Sequence, residues 1–197
     1  MNAPTPAERL PRPTELAQAL LAERLRPGDR AIDATLGNGH DTIFLARAVG
    51  ATGRVFGFDI QPEALEVTRE RLEAEGLADR VSLIHGCHST MQEPIARETA
   101  EGIRGVMFNL GYLPGGDKTR ITRPETTLCA LDAAIRLLAP GGLLTIIAYP
   151  GHTGGDEETA AVENWASALD QDSFSVAQYR FLNQVHHPPR LLAIERR

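Results

Sequence analysis

The chain has 197 residues, 42% of them hydrophobic, and 20 Lys and Arg stand against 26 Asp and Glu for a formal net charge of −6. That size and apolar share suit one α/β domain, residues 1–197, with a core of its own, and the acidity argues against a broad basic face for nonspecific binding along nucleic acid. No apolar run approaches the roughly 20 residues of a membrane span, the start has no secretory signature, and Cys87 and Cys129 form no disulfide framework, so a cytoplasmic protein without a membrane partner is expected.

Residues 1–13 hold four prolines and are expected to be loosely ordered. A helix is predicted over 14–25 and a strand over 30–34, followed by the Gly-rich turn Asp33-Ala-Thr-Leu-Gly-Asn-Gly-His-Asp41 and a helix over 40–49. A strand over 54–58 ends in Asp59, and Pro62 is well placed as the first residue of a helix over 62–75. Then come a strand over 81–85, a helix over 89–99, a strand over 103–109 and a helix over 124–138. Pro140-Gly141-Gly142 reads as a turn ahead of a strand over 142–149, and a helix follows over 156–169. The last strands, 174–181 and 190–195, are joined by a polar link too short for a crossover helix. This alternation predicts a doubly wound, mainly parallel sheet with helices on both faces and a terminal antiparallel hairpin.

In such sheets a ligand sits beyond the carboxyl ends of the strands, so the loops there carry the candidate site. Gly37 and Gly39 let the first turn adopt positive φ and lie close to a ligand. Asp59 falls about 20 residues beyond that turn, where nucleotide-binding α/β folds place a ribose-binding carboxylate, with Gln61 beside it. The loop departs from the dinucleotide pattern G-x-G-x-x-G, because position 42 is Thr. Its form, D-x-x-x-G-x-G, resembles motif I of the class I S-adenosylmethionine (SAM) methyltransferases. A SAM site, a dinucleotide site and a ligand-free tight turn are the three readings of this loop.

Under the SAM reading the cofactor-binding candidates are Asp33, Gly37, Asn38, Gly39, His40, Asp41, Asp59 and Gln61. Cys87 and His88 join them, standing where methyltransferases contact adenine. His85 and His88 form an H-x-x-H pair with no third ligand nearby, so no metal is expected. Asn109 ends the fourth strand three residues ahead of Tyr112, which resembles the N-P-P-Y motif of amine-directed methyltransferases. There the Asn oxygen and the next carbonyl accept hydrogen bonds from an amine nucleophile, and the aromatic stacks on its base.

Five segments carry a closer resemblance: Asp33–Asp41, Phe58-Asp-Ile-Gln61, Phe108-Asn-Leu-Gly-Tyr-Leu-Pro-Gly-Gly-Asp-Lys118, Gly151-His-Thr-Gly-Gly155, and Asn183-Gln184 with Pro188-Pro189. Together they resemble a bacterial family long labelled putative rRNA methylase, whose members are understood as tRNA 5-(aminomethyl)-2-thiouridine methyltransferases acting on the wobble uridine. The resemblance implies a Rossmann-like class I methyltransferase fold, SAM as cofactor and the tRNA anticodon loop as partner, and it allows a homodimer. It implies catalytic roles for Asn109 and Tyr112, with Asp117 or His152 accepting a proton. It also implies RNA contacts from the Leu110 carbonyl, Lys118 (the only lysine), Arg120 and Arg123. Pro150 and the His186-His187 pair depart from the family pattern. Rival functions are methylation of another RNA base or a small-molecule amine, a non-catalytic SAM- or RNA-binding module, and a nicotinamide-dependent reductase.

Overall fold

The computed structural model describes residues 9–96, 98–99, 102–111, 121–151 and 153–197. Its strands are β1 (Arg30–Asp33), β2 (Arg54–Asp59), β3 (Val81–His85), β4 (Ile103–Asn109), β5 (Leu138–Ala148), β6 (Phe174–Tyr179) and β7 (Arg190–Arg196). Its helices are α1 (Pro13–Arg24), α2 (His40–Ala48), α3 (Pro62–Ala74), α4 (Gln92–Ala96), α5 (Pro124–Leu137) and α6 (Gly155–Ser167), with short 3-10 turns at Ala78–Arg80 and His88–Thr90. The strands form one sheet in the order β3-β2-β1-β4-β5-β7-β6. Pairing is parallel from β3 through β5, whereas β7 is antiparallel to both of its neighbours. Six strands therefore run one way and β7 alone runs against them, as the alternating pattern and short final link require.

Side chains alternate across the strands with a period of two, and each face buries its own cluster. On one face Ile32, Phe56, Phe58, Val106 and Phe108 pack with Met91, Ile95, Leu131 and Val162 from the helical segments between 88 and 167. On the other, Ala31, Val55 and Met107 pack with Ala17 and Leu21 of α1, Leu45 of α2 and Leu72 of α3. Gly105 brings α1 close: a Cβ there would stand 2.9 Å from Leu21 Cδ2 and 3.1 Å from Leu25 Cδ2.

Three expectations need correction. Residues 9–13 are held rather than loose. Arg9 and Arg12 both pair with Glu15, and Pro11 accepts a 2.9 Å hydrogen bond from the Tyr179 hydroxyl; residues 1–8 lie outside the described residues. The helix expected over 89–99 is broken into the 3-10 turn and the short α4, because Pro94 cannot donate the backbone bond a longer helix would need. Pairing of β5 starts at Leu138 rather than 142. Leu138 pairs with Ile103 and the ladder resumes at Gly105 with Leu143, so Ala139-Pro-Gly-Gly142 is a bulge within the strand. Arg104 braces the bulge by donating to the Pro140 carbonyl at 2.6 Å.

Candidate active site

Between β1 and β4 the strand order reverses, and the loops there diverge to leave a crevice. A cavity of about 530 Å³ opens at this point, lined by residues that follow each of β1 to β5. Its volume suits a small ligand. A larger hollow of about 880 Å³ lies on the outer surface of α1, α2 and α3. Its walls are helix side chains such as Ala22, Phe44 and Arg47, and Gln18 and His40 are its links to the chemistry described below.

The β1–α2 turn is stitched to its neighbours by backbone bonds. Ala34 N–H donates to Met107 of β4, Leu36 N–H to Phe58 of β2, and Gly39 N–H back to Leu36. Gly37 has φ +50° and donates its N–H to Asp59 Oδ2 at 2.9 Å, while the other oxygen of Asp59 takes the Gln61 N–H at 2.9 Å. One carboxylate therefore organises both loops and still faces the cavity. Gly37, Asn38, His40, Asp41, Asp59, Gln61, Cys87, His88, Asn109 and Leu110, all candidates from sequence, line it together.

Asp33 and Gly39 do not line it, although sequence reading groups them with the cofactor ligands. Asp33 is 1% exposed and its oxygens are engaged by the Thr42 hydroxyl at 2.6 Å and the Thr35 N–H at 3.2 Å. It ties the strand end to the first turn of α2. Gly39, at φ +78°, backs onto α3, where a Cβ would come within 2.6 Å of Thr68 Oγ1. Its conformation and this close approach both require glycine.

Burial pushes the Asp33 carboxyl up to about 7, with nearby Asp41 adding to the effect. A carboxyl raised in the fold binds its proton more tightly there than in the unfolded chain. The stabilisation is therefore complete below the unfolded value and is lost as pH rises through the folded one. Asp33→Asn removes the ionisation while keeping polar contacts for Thr42 and Thr35. Thermal unfolding at pH 5 and pH 8 should show the variant gaining on the wild type by on the order of 2 kcal/mol at the higher pH. Parallel behaviour at the two pH values would mean that Asp33 is ionised throughout.

At the β3 side, His88 is 7% exposed, with Nδ1 3.2 Å from the Ala34 carbonyl and its ring 5.7 Å from Phe108. A carbonyl only accepts, so Nδ1 carries the proton. Burial also holds the ring below the usual histidine range, which favours its neutral form. Phe58, Ile60 and Leu110 give this end of the cavity apolar walls.

The opposite end is polar. Asn109 N–H donates to Thr35 Oγ1 at 2.7 Å, fixing the backbone, and its side chain lies beside Asp41 and Tyr149, where it favours their ionised forms. Asp41 also accepts from Gln18 Nε2 of α1 at 2.7 Å, and burial raises its carboxyl above the usual range. Tyr149 is likewise pushed up, by burial first and then by the Asp41 charge. Thr35 and Tyr149 stand within the strand-end loops that sequence marks out, although neither is assigned a role from sequence, whereas Gln18 reads as an ordinary polar position of α1. Tyr112, Asp117, Lys118, Arg120 and His152 lie outside the described residues. Arg123 caps α5, exposed, and does not line the cavity.

Asp59 as an acceptor for a diol, apolar walls at Phe58, Ile60 and Leu110 for a base, and the buried Asp41 as a partner for a cationic group form a donor set that fits SAM. Fold and site define a class I SAM-dependent methyltransferase, and likenesses to known proteins narrow this further. The family model described as "Putative rRNA methylase" matches residues 55–195, and this chain belongs to that family. A second model, Protein-L-isoaspartate(D-aspartate) O-methyltransferase, matches residues 10–92, the part that carries the β1 and β2 loops.

The chain is 41% identical over 191 residues to the chloroplastic tRNA (mnm(5)s(2)U34)-methyltransferase of Arabidopsis thaliana, covering 93% of this chain and 69% of that protein. Among solved structures, a "putative rRNA-methylase" from Clostridium thermocellum superposes with a TM-score of 0.90 at 41% identity, covering 95% of this chain and 99% of that one. A "putative methyltransferase" from Streptococcus mutans, solved in complex with SAH, gives 0.85 at 42% identity with the same coverage. Among the described residues no helix is long and apolar enough to cross a membrane.

Proposed function

We propose that this chain transfers a methyl group from SAM to the exocyclic primary amine of 5-aminomethyl-2-thiouridine at the wobble position of tRNA. The observation that carries this reading is the similarity, over 93% of this chain, to a protein named for mnm(5)s(2)U34, the methylated form of that nucleoside. The site chemistry agrees with it. When bound, SAM supplies an electrophilic methyl group on a sulfonium.

Asp59, braced by the Gly37 and Gln61 N–H groups, takes the ribose hydroxyls, and the apolar walls at Ile60 and Leu110 hold the base. The Asn109 side-chain oxygen and the Leu110 carbonyl accept hydrogen bonds from the amine and aim its lone pair. An uncharged amine is the reactive form, and removal from water favours it over the ammonium. Among the described residues Asp41 and Asp59 are the acids that share the cavity wall with Asn109; with Asp59 on the ribose, the raised pKa of Asp41 suits it to receive the proton released. Tyr112 stacks on the uridine, while Lys118, Arg120 and Arg123 hold neighbouring phosphates of the single-stranded loop.

The direct test offers the purified protein SAM together with tRNA carrying 5-aminomethyl-2-thiouridine or, in a parallel reaction, ribosomal RNA, then digests each RNA and weighs its nucleosides. Gain of one methyl group on that nucleoside is the expected result. Methylation confined to ribosomal RNA, or none in either RNA, would overturn the assignment. With chemistry limiting, the single-turnover rate should climb with pH through the neutral range and level off once amine and acceptor are both deprotonated. A flat profile would mean that the amine is bound already uncharged.

A further inference from the structure

A line of polar contacts runs from α6 to the cavity wall and has no part in the function described so far. Glu158, in the first turn of α6, is 3% exposed. Each of its carboxylate oxygens accepts a threonine hydroxyl, Thr122 Oγ1 at 2.6 Å and Thr127 Oγ1 at 2.7 Å. Thr122 Oγ1 in turn accepts the Gly111 N–H at 2.8 Å, and Thr122 N–H returns to the Gly111 carbonyl at 2.9 Å.

The direction of this relay is forced. A carboxylate can only accept, and a threonine hydroxyl has one proton to give. Thr122 gives that proton to Glu158 and must therefore offer a lone pair to Gly111. Burial in a region of low dielectric and alignment of successive donors strengthen each bond. The carboxylate also sits in the first turn of its helix, where negative charge is favoured.

Gly111 follows the two residues that aim the amine. All three backbone donors are engaged: Asn109 N–H by Thr35 Oγ1 at 2.7 Å, Leu110 N–H by the Ile147 carbonyl at 2.9 Å, and Gly111 N–H by Thr122. The first two anchors belong to the sheet and its first loop. The third is the Thr122 hydroxyl, itself held by Glu158, 47 positions along the chain from Gly111 on a helix that does not line the cavity.

We propose that Glu158 is a positioning residue for methyl transfer: through Thr122 it fixes the Gly111 amide, and with it the backbone that presents the Asn109 side chain and the Leu110 carbonyl to the amine. This rests on the function proposed above. The two threonines separate positioning from plain structural support, because both bind Glu158 but only Thr122 continues to Gly111.

The test compares Glu158→Ala, Glu158→Gln, Thr122→Val and Thr127→Val. For each, single-turnover methylation of the aminomethyl-bearing tRNA, SAM affinity by calorimetry, the melting temperature and Gly111 amide exchange by NMR are measured. Glu158→Ala and Thr122→Val should each slow methyl transfer by about tenfold or more while SAM affinity holds. Both should accelerate Gly111 exchange, and combining them should cost no more than Thr122→Val alone. Glu158→Gln keeps one acceptor oxygen and should recover most of the rate. Thr127→Val should lower the melting temperature yet spare both the rate and Gly111 exchange.

Equal slowing by Thr127→Val and Thr122→Val would overturn the proposal, as would a Thr122→Val protein with wild-type rate and exchange. Should Glu158→Ala fail to fold, the threonine pair still decides the matter. Absence of wild-type activity on this tRNA would instead sink the functional reading, with Gly111 exchange still testing the relay.

Discussion

Asn109→Ala should slow single-turnover methylation by about 100-fold or more, while SAM binds with unchanged affinity and tRNA still docks. The substitution keeps the backbone N–H on Thr35 Oγ1, so the end of β4 stays in place and the loss falls on the side chain. On the proposed mechanism what disappears is the acceptor that meets the amine in its attacking geometry, and such groups are felt in the chemical step more than in binding. Asp41 and Tyr149 also lose the neighbouring amide that favours their ionised forms. Rapid-quench kinetics with labelled SAM would measure the effect. A variant that turned over normally but bound SAM poorly would make Asn109 a cofactor ligand rather than a guide for the nucleophile.

Asp59→Ala should weaken SAM binding by about 1–3 kcal/mol, the usual loss when a charged acceptor for ligand hydroxyls is removed. Asp59 also receives the Gly37 and Gln61 N–H groups, so part of any loss could come from the loops themselves. Calorimetry with SAH and its 2′-deoxy analogue separates the two. Wild-type protein should prefer the hydroxylated form and Asp59→Ala should not. An undiminished preference in the variant would place the ribose on another residue.

Much of this architecture is legible in the order of apolar runs and turns. Six strands and a reversed seventh follow from helices alternating with strands and from a final link too short to cross the sheet. Regions where backbone geometry overrides local pattern are harder to read. Ala139-Pro-Gly-Gly142 has the composition of a turn, yet Leu138 is drawn into register with Ile103 and the turn becomes a bulge.

In the site, position relative to strand ends identifies Asp59, Asp41 and Asn109, because topology brings every such loop to one crevice. Pattern alone cannot separate a residue that faces a ligand from one that holds the wall behind it. Asp33 occupies a motif position and spends its oxygens on Thr42 and Thr35. Glu158 looks like part of a solvated acidic run, Asp156-Glu157-Glu158. Its register with Val162 and Ala166, four and eight positions on, nevertheless places it on the buried stripe of α6, a signal visible in the sequence before any coordinates.

The packing of α1 bears on how the enzyme is assembled. This helix leaves the ribosome ahead of every strand, yet its apolar face rests on β4 and β5, and Arg24 pairs with Glu195 of β7 at 2.8 Å. Tyr179 at the end of β6 closes on Pro11 across 168 positions of chain. Leu21 and Ala17 therefore lack their sheet cover until β4 and β5 have been made, a wait of the kind that slows folding. Gln18 lies on that same helix and steadies Asp41 in the cavity. The helix that carries Gln18 thus gains its last supports, Glu195 of β7 and Tyr179 of β6, only when the end of the chain has been made.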